Sequence, residues 1–489
     1  MATPPNVRIQ GVEYEKVQDD YFQQRQLKRG AAGWVLLVGL GVAYVISGDF
    51  AGWNFGLRHG GWGGLLIATL LMALMYTSMV FALAELSSLI PTAGGGYGFA
   101  RRAFGPWGGF LTGTAILIEY AIAPAAIAVF IAAYCWSLFG ITGWPVYLAF
   151  YLLFVGIHLY GVGEALKIMF AITAAAAAAL VVYFAAMIPY FRPDKLMDIA
   201  VTDAPGASSF LPFGYLGIWA AIPYAMWFFL AIEGVPLAAE ETRHPRRDLP
   251  RGLIGGMMVL LCFAALNLVL GPGGAGARAI MDADSPLVVA LESPDAYGQV
   301  TAASRFVNLV GLAGLIASFF SIIYAYSRQI FALSRAGYLP RVLSLTSRRR
   351  SPVLALIVPG AVGFVLSLSG QGDLLILVSV FGATVSYVLM MASHIALRIK
   401  EPQLPRPYRT PGGVMTSGIA LVLGCVALVA GLLVDPRVIL GAAIIYGLHI
   451  AYFALYSRHH LVAQAPEEEF AVIQQAHAEL GRKQGEALQ

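Results

Sequence analysis

The sequence predicts an all-α polytopic membrane protein of about twelve transmembrane helices, and three observations carry that prediction. Of its 489 residues 58% are apolar and only 12% charged, far too little polar surface for a soluble protein of this size. The apolar residues gather in stretches about as long as the ~20 residues a helix needs to cross a bilayer. The Lys and Arg residues collect in alternate connections between those stretches, as the positive-inside rule requires.

Hydropathy puts the spans at about 32–57, 63–87, 107–138, 145–160, 165–188, 213–237, 253–271, 304–334, 353–369, 373–397, 414–434 and 438–456. No stretch between them is long enough for a second folded domain. The first thirty residues are polar and lack the short apolar core and small-residue cleavage site of a secretory leader, so span one is expected to stay attached. With the amino terminus inside, the inner segments hold about 24 of the 31 Lys and Arg residues. The outer segments hold Arg58, Arg192, Lys195, Arg278, Arg305 and Arg437, and Arg328 lies within a span. Both termini are therefore expected in the cytoplasm. Topology accounts for the basic residues, and the net charge of +4 implies no nucleic-acid partner.

Cys135, Cys262 and Cys425 fall in different spans, at no metal or disulfide spacing. The histidines are dispersed, and His158 and His394, near span ends, read as interfacial or packing residues and not as ligands. No metal or cofactor is expected. Gly94-Gly95-Gly96 is followed by Tyr97 and not by Gly-Lys-Ser/Thr, so the phosphate loop of an ATP-driven machine is missing.

Two spans are interrupted. Span one carries Ile46-Ser47-Gly48-Asp49 where a membrane helix is ordinarily most apolar. An ionised Asp near the bilayer centre costs about 2.5–3.5 kcal/mol by insertion scales, so it is expected to face a cavity, a partner or a substrate. Span six is interrupted at Trp227-Phe228-Phe229-Leu230-Ala231-Ile232-Glu233-Gly234-Val235-Pro236. Broken helices five spans apart mark an inverted-repeat transporter whose site lies where the breaks meet, which makes Asp49 and Glu233 pseudo-equivalent. Irregular backbone at that depth needs a cavity or protein around it; a simple kink is the plainer alternative.

Further motifs carry a family resemblance. Ala84-Glu85-Leu86-Ser87-Ser88-Leu89-Ile90-Pro91-Thr92-Ala93-Gly94-Gly95-Gly96-Tyr97, followed by Ala103-Phe104-Gly105-Pro106, resembles the helix 2 to helix 3 signature of the amino acid, polyamine and organocation (APC) permeases. Ala239-Glu240-Glu241-Thr242-Arg243-His244-Pro245-Arg246-Arg247-Asp248-Leu249-Pro250, Ser334-Arg335-Ala336-Gly337-Tyr338-Leu339-Pro340 and Arg406-Pro407-Tyr408-Arg409-Thr410-Pro411 are similar to later signatures of that superfamily. Within it, Tyr44-Val45-Ile46-Ser47-Gly48-Asp49-Phe50-Ala51-Gly52-Trp53-Asn54-Phe55-Gly56 and Tyr97-Gly98-Phe99-Ala100-Arg101-Arg102 resemble the ethanolamine permease branch. The resemblance implies the leucine-transporter-like five-plus-five inverted repeat. It would comprise a cytoplasmic arm 1–30, a core 31–400 of ten helices with helices 1 and 6 broken, two further helices in 401–456, and a tail 457–489. It also implies secondary active uptake of ethanolamine across the bacterial inner membrane by alternating access, and no enzymatic activity. The implied partners are ethanolamine or a similar small amine and the lipid bilayer; a co-transported proton is one coupling, with sodium symport, exchange and potential-driven uniport left open beside it. A neutral amino acid or polyamine permease, or a membrane amine sensor, is the alternative; the sensor would need a signalling domain that the short tail does not supply.

Relatives that carry amino acids have a Gly-Ser-Gly-Ile-Phe type sequence in broken helix 1, whose free amides meet the substrate carboxylate. Here Ile46 stands for the first glycine and Asp49 for the aliphatic residue, so a carboxylate substrate would be repelled and a cation favoured. Asp49 also reads as the N-cap of the second half-helix. Glu119, deep in span three, reads as substrate contact or proton relay, or as a structural hydrogen bond to the broken backbone. Glu233 reads as proton-coupled or gating, or as an acceptor for the unwound backbone. The resemblance points to Trp227 as an aromatic gate, whose face also suits an ammonium, to Pro124 on helix 3, and to Ile322 on helix 8 with Ser318 and Ser321 beside it. The candidate substrate site is thus Ile46, Ser47, Gly48, Asp49, Glu119, Pro124, Trp227, Phe229, Leu230, Glu233, Ser318, Ser321 and Ile322. Some proton-coupled relatives place a lysine in the middle of helix 5, where this chain has Ala174–Ala179 and only Lys167 nearer the end. Asp49, Glu119 and Glu233 are left as the proton-coupling candidates. Glu85, Glu240 and Glu241 are expected to pair with arginines of the inner loops.

Overall fold

The computed structural model describes residues 7–468 except 10, 16, 18, 19, 28, 29, 161, 464 and 467. The ends of the expected arm and tail, 1–6 and 469–489, lie outside the described residues. Among those described, nine helices are long and apolar enough to cross a membrane, and three shorter apolar helices accompany them.

Helices α1 (Trp34–Val45) and α2 (Ser47–Phe50) are the two parts of the interrupted first span. Helix α3 (Phe55–Leu89) holds the end of span one and all of span two, because Gly61, at φ 65° and ψ 178°, reverses the chain inside it. Such a backbone is open to glycine and strained for other residues. Helix α4 (Gly96–Phe139) is bent the same way at Gly105, after which Pro106 starts the membrane-crossing part as a first-turn proline. Helices α5 (Trp144–Tyr160) and α6 (Val162–Met187) follow. Helix α7 (Gly214–Trp227) ends at the second break, and the chain resumes as a 3-10 helix, Ile232–Glu241. Then come α8 (Pro245–Ala275), the short α9 (Ala277–Ile280) and α10 (Pro286–Glu292), and α11 (Ala302–Arg335), which starts on a Thr301/Ser304 capping box. Helices α12 (Val353–Ser367), α13 (Gly372–Lys400), α14 (Val414–Val434) and α15 (Pro436–Leu455) complete the twelve spans.

Packing repeats with a period of five spans. Helix α1 lies along α8 as α7 lies along α3, and α4 lies along α13 as α11 lies along α6. Exchanging spans 1–5 with spans 6–10, five added to one span number and five taken from the other, carries the first pair of each comparison onto the second, which is the five-plus-five repeat expressed in contacts. Small residues let the helices approach: a Cβ added at Gly60 would stand 2.6 Å from the Gly217 carbonyl oxygen.

One feature departs from an all-helical expectation. Strands β1 (Val7–Ile9), β2 (Val12–Glu15) and β3 (Leu461–Val462) form a small sheet in which Tyr14 pairs with Leu461. The chain segments next to both termini therefore share one face of the molecule. Val12, Tyr14, Leu461 and Val462 are buried there against Tyr97, Phe110, Tyr338 and Phe453. Burial of apolar side chains by the bundle, and not local periodicity, stabilises so short a sheet.

Candidate functional site

The two breaks pack directly against each other. At the first, Ala51 is extended and Gly52 has φ 94°; at the second, Ala231 has φ 76°, a left-handed conformation that alanine rarely adopts. A Cβ at Gly48 would collide with the Trp227 carbonyl, so only glycine permits this approach. Trp227 then reaches across, its Nε1 donating to the Ala51 carbonyl at 3.0 Å. Helix α11 joins from a third side. Ser318 Oγ accepts from the Ser47 amide at 2.9 Å and donates to the Ala43 carbonyl at 2.7 Å.

Between these elements lies a cavity of about 10 Å³, lined by Tyr44, Val45, Ser47, Ala123, Trp227, Leu230 and Ile322. It has room for about one water, so the protein is closed around its centre. Four of the residues proposed from sequence line it: Ser47, Trp227, Leu230 and Ile322. Pro124 follows the lining residue Ala123 on α4, while Ile46 and Gly48 are buried within the first break. Ser321 Oγ donates to the Ser318 carbonyl of its own helix at 3.0 Å, and Phe229 packs on Tyr76 with ring centroids 5.4 Å apart.

Asp49 is fully buried but is not among the lining residues. Its Oδ1 accepts from Asn267 Nδ2 on α8 at 3.0 Å, and the same nitrogen lies 3.2 Å from the Asp49 carbonyl oxygen. Among the described residues, Asp49 Oδ2 and Asn267 Oδ1 have no hydrogen-bond partner. The acid thus points across the bundle at α8, with one oxygen uncommitted.

Glu119 and Glu233 meet. Their buried carboxyl groups both face the Tyr387 hydroxyl, at 3.5 Å from Glu119 Oε1 and 2.8 Å from Glu233 Oε2, and two carboxylates so close in a dry site repel too strongly to be ionised together. Around them Tyr120 donates to Glu233 Oε1 at 2.7 Å, Tyr387 donates to Glu233 Oε2 at 2.8 Å, and Tyr76 lies 3.4 Å from the Tyr387 hydroxyl. The pair therefore joins α4, α13, α3 and the second half of broken helix 6. Tyr120 is one turn from the lining residue Ala123, which sets this network beside the cavity.

Towards the termini-bearing face the acids are paired. Glu85 meets Arg398 and, at 2.9 Å, Arg406; Glu240 meets Arg335. Glu241 pairs instead with Arg328 inside α11, at 2.9 Å with both side chains wholly buried, and also takes the Tyr324 hydroxyl. An intramembrane arginine, not a loop one, thus neutralises it. His158 packs as expected, stacked on Phe320 at 4.2 Å.

Sequence reading missed Asn267, Tyr120, Tyr387 and Tyr44. Asn267 left a signal, a lone amide between leucines in an otherwise apolar span, where such a residue needs a partner. The tyrosines left none, because aromatic residues are ordinary in membrane helices.

An amino acid permease family model matches residues 35–455. An uncharacterized transporter of Rhizobium meliloti is 30% identical over 308 residues, covering 62% of this chain and 64% of that protein. The branched-chain amino acid permease of Bacillus subtilis is 26% identical over 471 residues, 89% of this chain and 95% of the relative. The methylthioribose transporter of Bacillus subtilis is 27% identical over 324 residues, 62% of this chain and 65% of the relative. The chain thus spans a little under two thirds of the first and third of these, and nearly all of the second.

Proposed function

The chain belongs to the amino acid permease family, and on that premise we propose that it imports ethanolamine, or a small amine like it, across the bacterial inner membrane by alternating access. The observation that carries the reading is the fully buried Asp49 at the first break, together with the amides around it. The amides of Ile46, Ser47, Asp49 and Ala51 already donate to the Val42 carbonyl, Ser318 Oγ, the Ile46 carbonyl and the Ser47 carbonyl. A substrate carboxylate would find these four amides already taken and an anion nearby, at a cost of about 4 kcal/mol for charges ~4 Å apart at an effective dielectric of ~20. A cation gains from the same field, and the Trp227 face adds about 1–2 kcal/mol when desolvated. The ammonium enters as the breaks part and Asp49 Oδ2 accepts from it, while Ser47 faces the hydroxyl end.

The shared proton of Glu119 and Glu233 is the coupling ion in this reading. Binding of a cation beside the pair disfavours that proton's retention, so loading and proton release are linked. In this reading both termini are cytoplasmic, which the excess of Lys and Arg in alternate connections supports.

Uptake of labelled ethanolamine into proteoliposomes, with the pH and sodium gradients varied separately, tests the whole. Uptake is expected to follow the pH gradient and to resist competition by alanine. Uptake of alanine with no competition from ethanolamine would overturn it. A neutral amino acid is the second reading, supported by the match to the branched-chain amino acid permease over 95% of that protein's length. The methylthioribose relative, whose named cargo has no carboxylate, weakens it.

A further inference from the structure

Several arginines on the termini-bearing face are neutralised: Arg102 by Glu401, Arg335 by Glu240, Arg341 by Glu15 and Arg398 by Glu85. Arg246, Arg247 and Arg251 are different. All three are exposed in the first turns of α8, and among the described residues no carboxylate lies within ion-pair distance of them. They do not spread over the surface either. They converge on one concavity of about 390 Å³, whose other walls include Ile254, Pro407 and Tyr408.

Three like charges in one hollow repel one another, and the amino end of α8 adds its own positive potential. The arrangement is held open by covalent structure, not by attraction, so an anion entering it gains from every group at once. Guanidinium forks suit phosphate oxygens in particular, because they donate in pairs. The rest of the pocket says which phosphate. Ile254 is an apolar wall, and Met258, one turn further along the same face of α8, is 56% exposed. An apolar track therefore runs from the basic hollow into the membrane-facing side of the helix, as a molecule with a phosphate head and a hydrocarbon tail requires. We propose that this pocket binds the phosphodiester headgroup of an anionic phospholipid of the inner leaflet.

The lipid would join two parts of the molecule. Arg246, Arg247 and Arg251 belong to α8, which carries Asn267 and lies along α1, whereas Pro407 and Tyr408 belong to a connection fastened to α3, the Tyr408 amide donating to Ser88 Oγ at 3.3 Å and the Thr410 amide to Glu85 at 2.7 Å.

Native mass spectrometry of the full-length protein in detergent, titrated with dioleoyl phosphatidylglycerol, dioleoyl phosphatidylcholine or inorganic phosphate, tests the proposal. The wild type is expected to retain phosphatidylglycerol in preference to phosphatidylcholine. Each single change Arg246→Gln, Arg247→Gln or Arg251→Gln should lower that affinity roughly fivefold, and the triple change roughly a hundredfold, at ~1 kcal/mol per arginine. The paired change Arg348→Gln and Arg350→Gln, elsewhere on the same face, should leave it within twofold. Equal retention by wild type and triple variant would overturn the site, as would equal loss in the Arg348/Arg350 control. Binding of inorganic phosphate without preference for phosphatidylglycerol would overturn the lipid as its source. If the triple variant fails to fold, the single variants carry the same test.

Discussion

Asn267 holds Asp49 by one amide nitrogen that lies 3.0 Å from the carboxylate Oδ1 and 3.2 Å from the carbonyl oxygen of the same residue. The interruption of the first span is thereby pinned to α8, its neighbour in the repeat. The grip leaves Asp49 Oδ2 free, so the acid is positioned by the fold and still has an acceptor to offer.

Asp49→Asn is expected to fold and to lose ethanolamine uptake by at least a hundredfold. The new amide oxygen can still accept from Asn267, so the bundle keeps its contact while the negative charge is gone. Normal uptake by a monodisperse Asp49→Asn protein in proteoliposomes would remove the acid from substrate selection. Asn267→Leu, by contrast, strips a buried carboxylate of its donor, and thermal unfolding in detergent should show a loss of about 1–3 kcal/mol.

The Glu119 and Glu233 carboxyls predict a difference between two isosteric changes. Glu119→Gln keeps a donor for Glu233 and removes the exchangeable proton, so the protein should remain as stable as wild type while uptake loses its dependence on the pH gradient. Glu233→Gln is expected to disturb Tyr120 and Tyr387 as well, since both hydroxyls donate to that residue. A pH-gradient response unchanged in Glu119→Gln would exclude the pair from coupling.

Trp227→Phe should retain part of the activity and Trp227→Ala almost none. Phenylalanine keeps a ring face for the ammonium but loses the hydrogen bond to the Ala51 carbonyl, worth about 0.5–1.5 kcal/mol, or roughly a three- to tenfold effect. Equal uptake by the two variants would show that the ring does not close the site.

Glu241→Ala leaves Arg328 buried without its counter-charge. Unpaired burial of this kind costs about 3–5 kcal/mol, so the variant should unfold at markedly lower temperature in detergent, while Glu241→Ala combined with Arg328→Met recovers much of the loss. Recovery absent in the double variant would mean that the ion pair is not what the bundle depends on.

The sheet near the termini predicts a pH dependence. Burial acts to raise the Glu15 carboxyl, but His460 and Arg341 outweigh it and hold it below the ordinary carboxylate range. A depressed folded value means that the stabilisation is present above the unfolded carboxylate value and is lost as pH falls through the folded one. Glu15→Gln should therefore free the terminal segments for proteolysis at neutral pH, by no more than about 1 kcal/mol for so exposed a pair, and the difference from wild type should vanish in strong acid. A difference that grows on acidification would contradict the assignment.

Much of this architecture was legible along the chain. The apolar stretches marked all twelve spans, and the reversal at Gly61 falls in the gap left between the first two. The breaks at Gly48 and near Ala231 were legible because glycine, proline and carboxylates are conspicuous in apolar surroundings. The sheet was not, since Val12–Glu15 and Leu461–Val462 are too short to pair without the bundle beneath them. Glu241 was read as a partner for loop arginines, and its pairing with Arg328 depends on how α11 is rotated about its axis, which no local pattern specifies.

By itself the sequence determined that this chain is a bundle of membrane helices broken twice, with acids at or near both breaks, because transfer into hydrocarbon is paid residue by residue and leaves a local record. Only the tertiary structure decided that Asp49 turns to Asn267 while Glu119 turns to Glu233. Those choices depend on which helix faces meet across the bundle, and a contact between distant segments is set by packing geometry that the run of residues on either side does not encode.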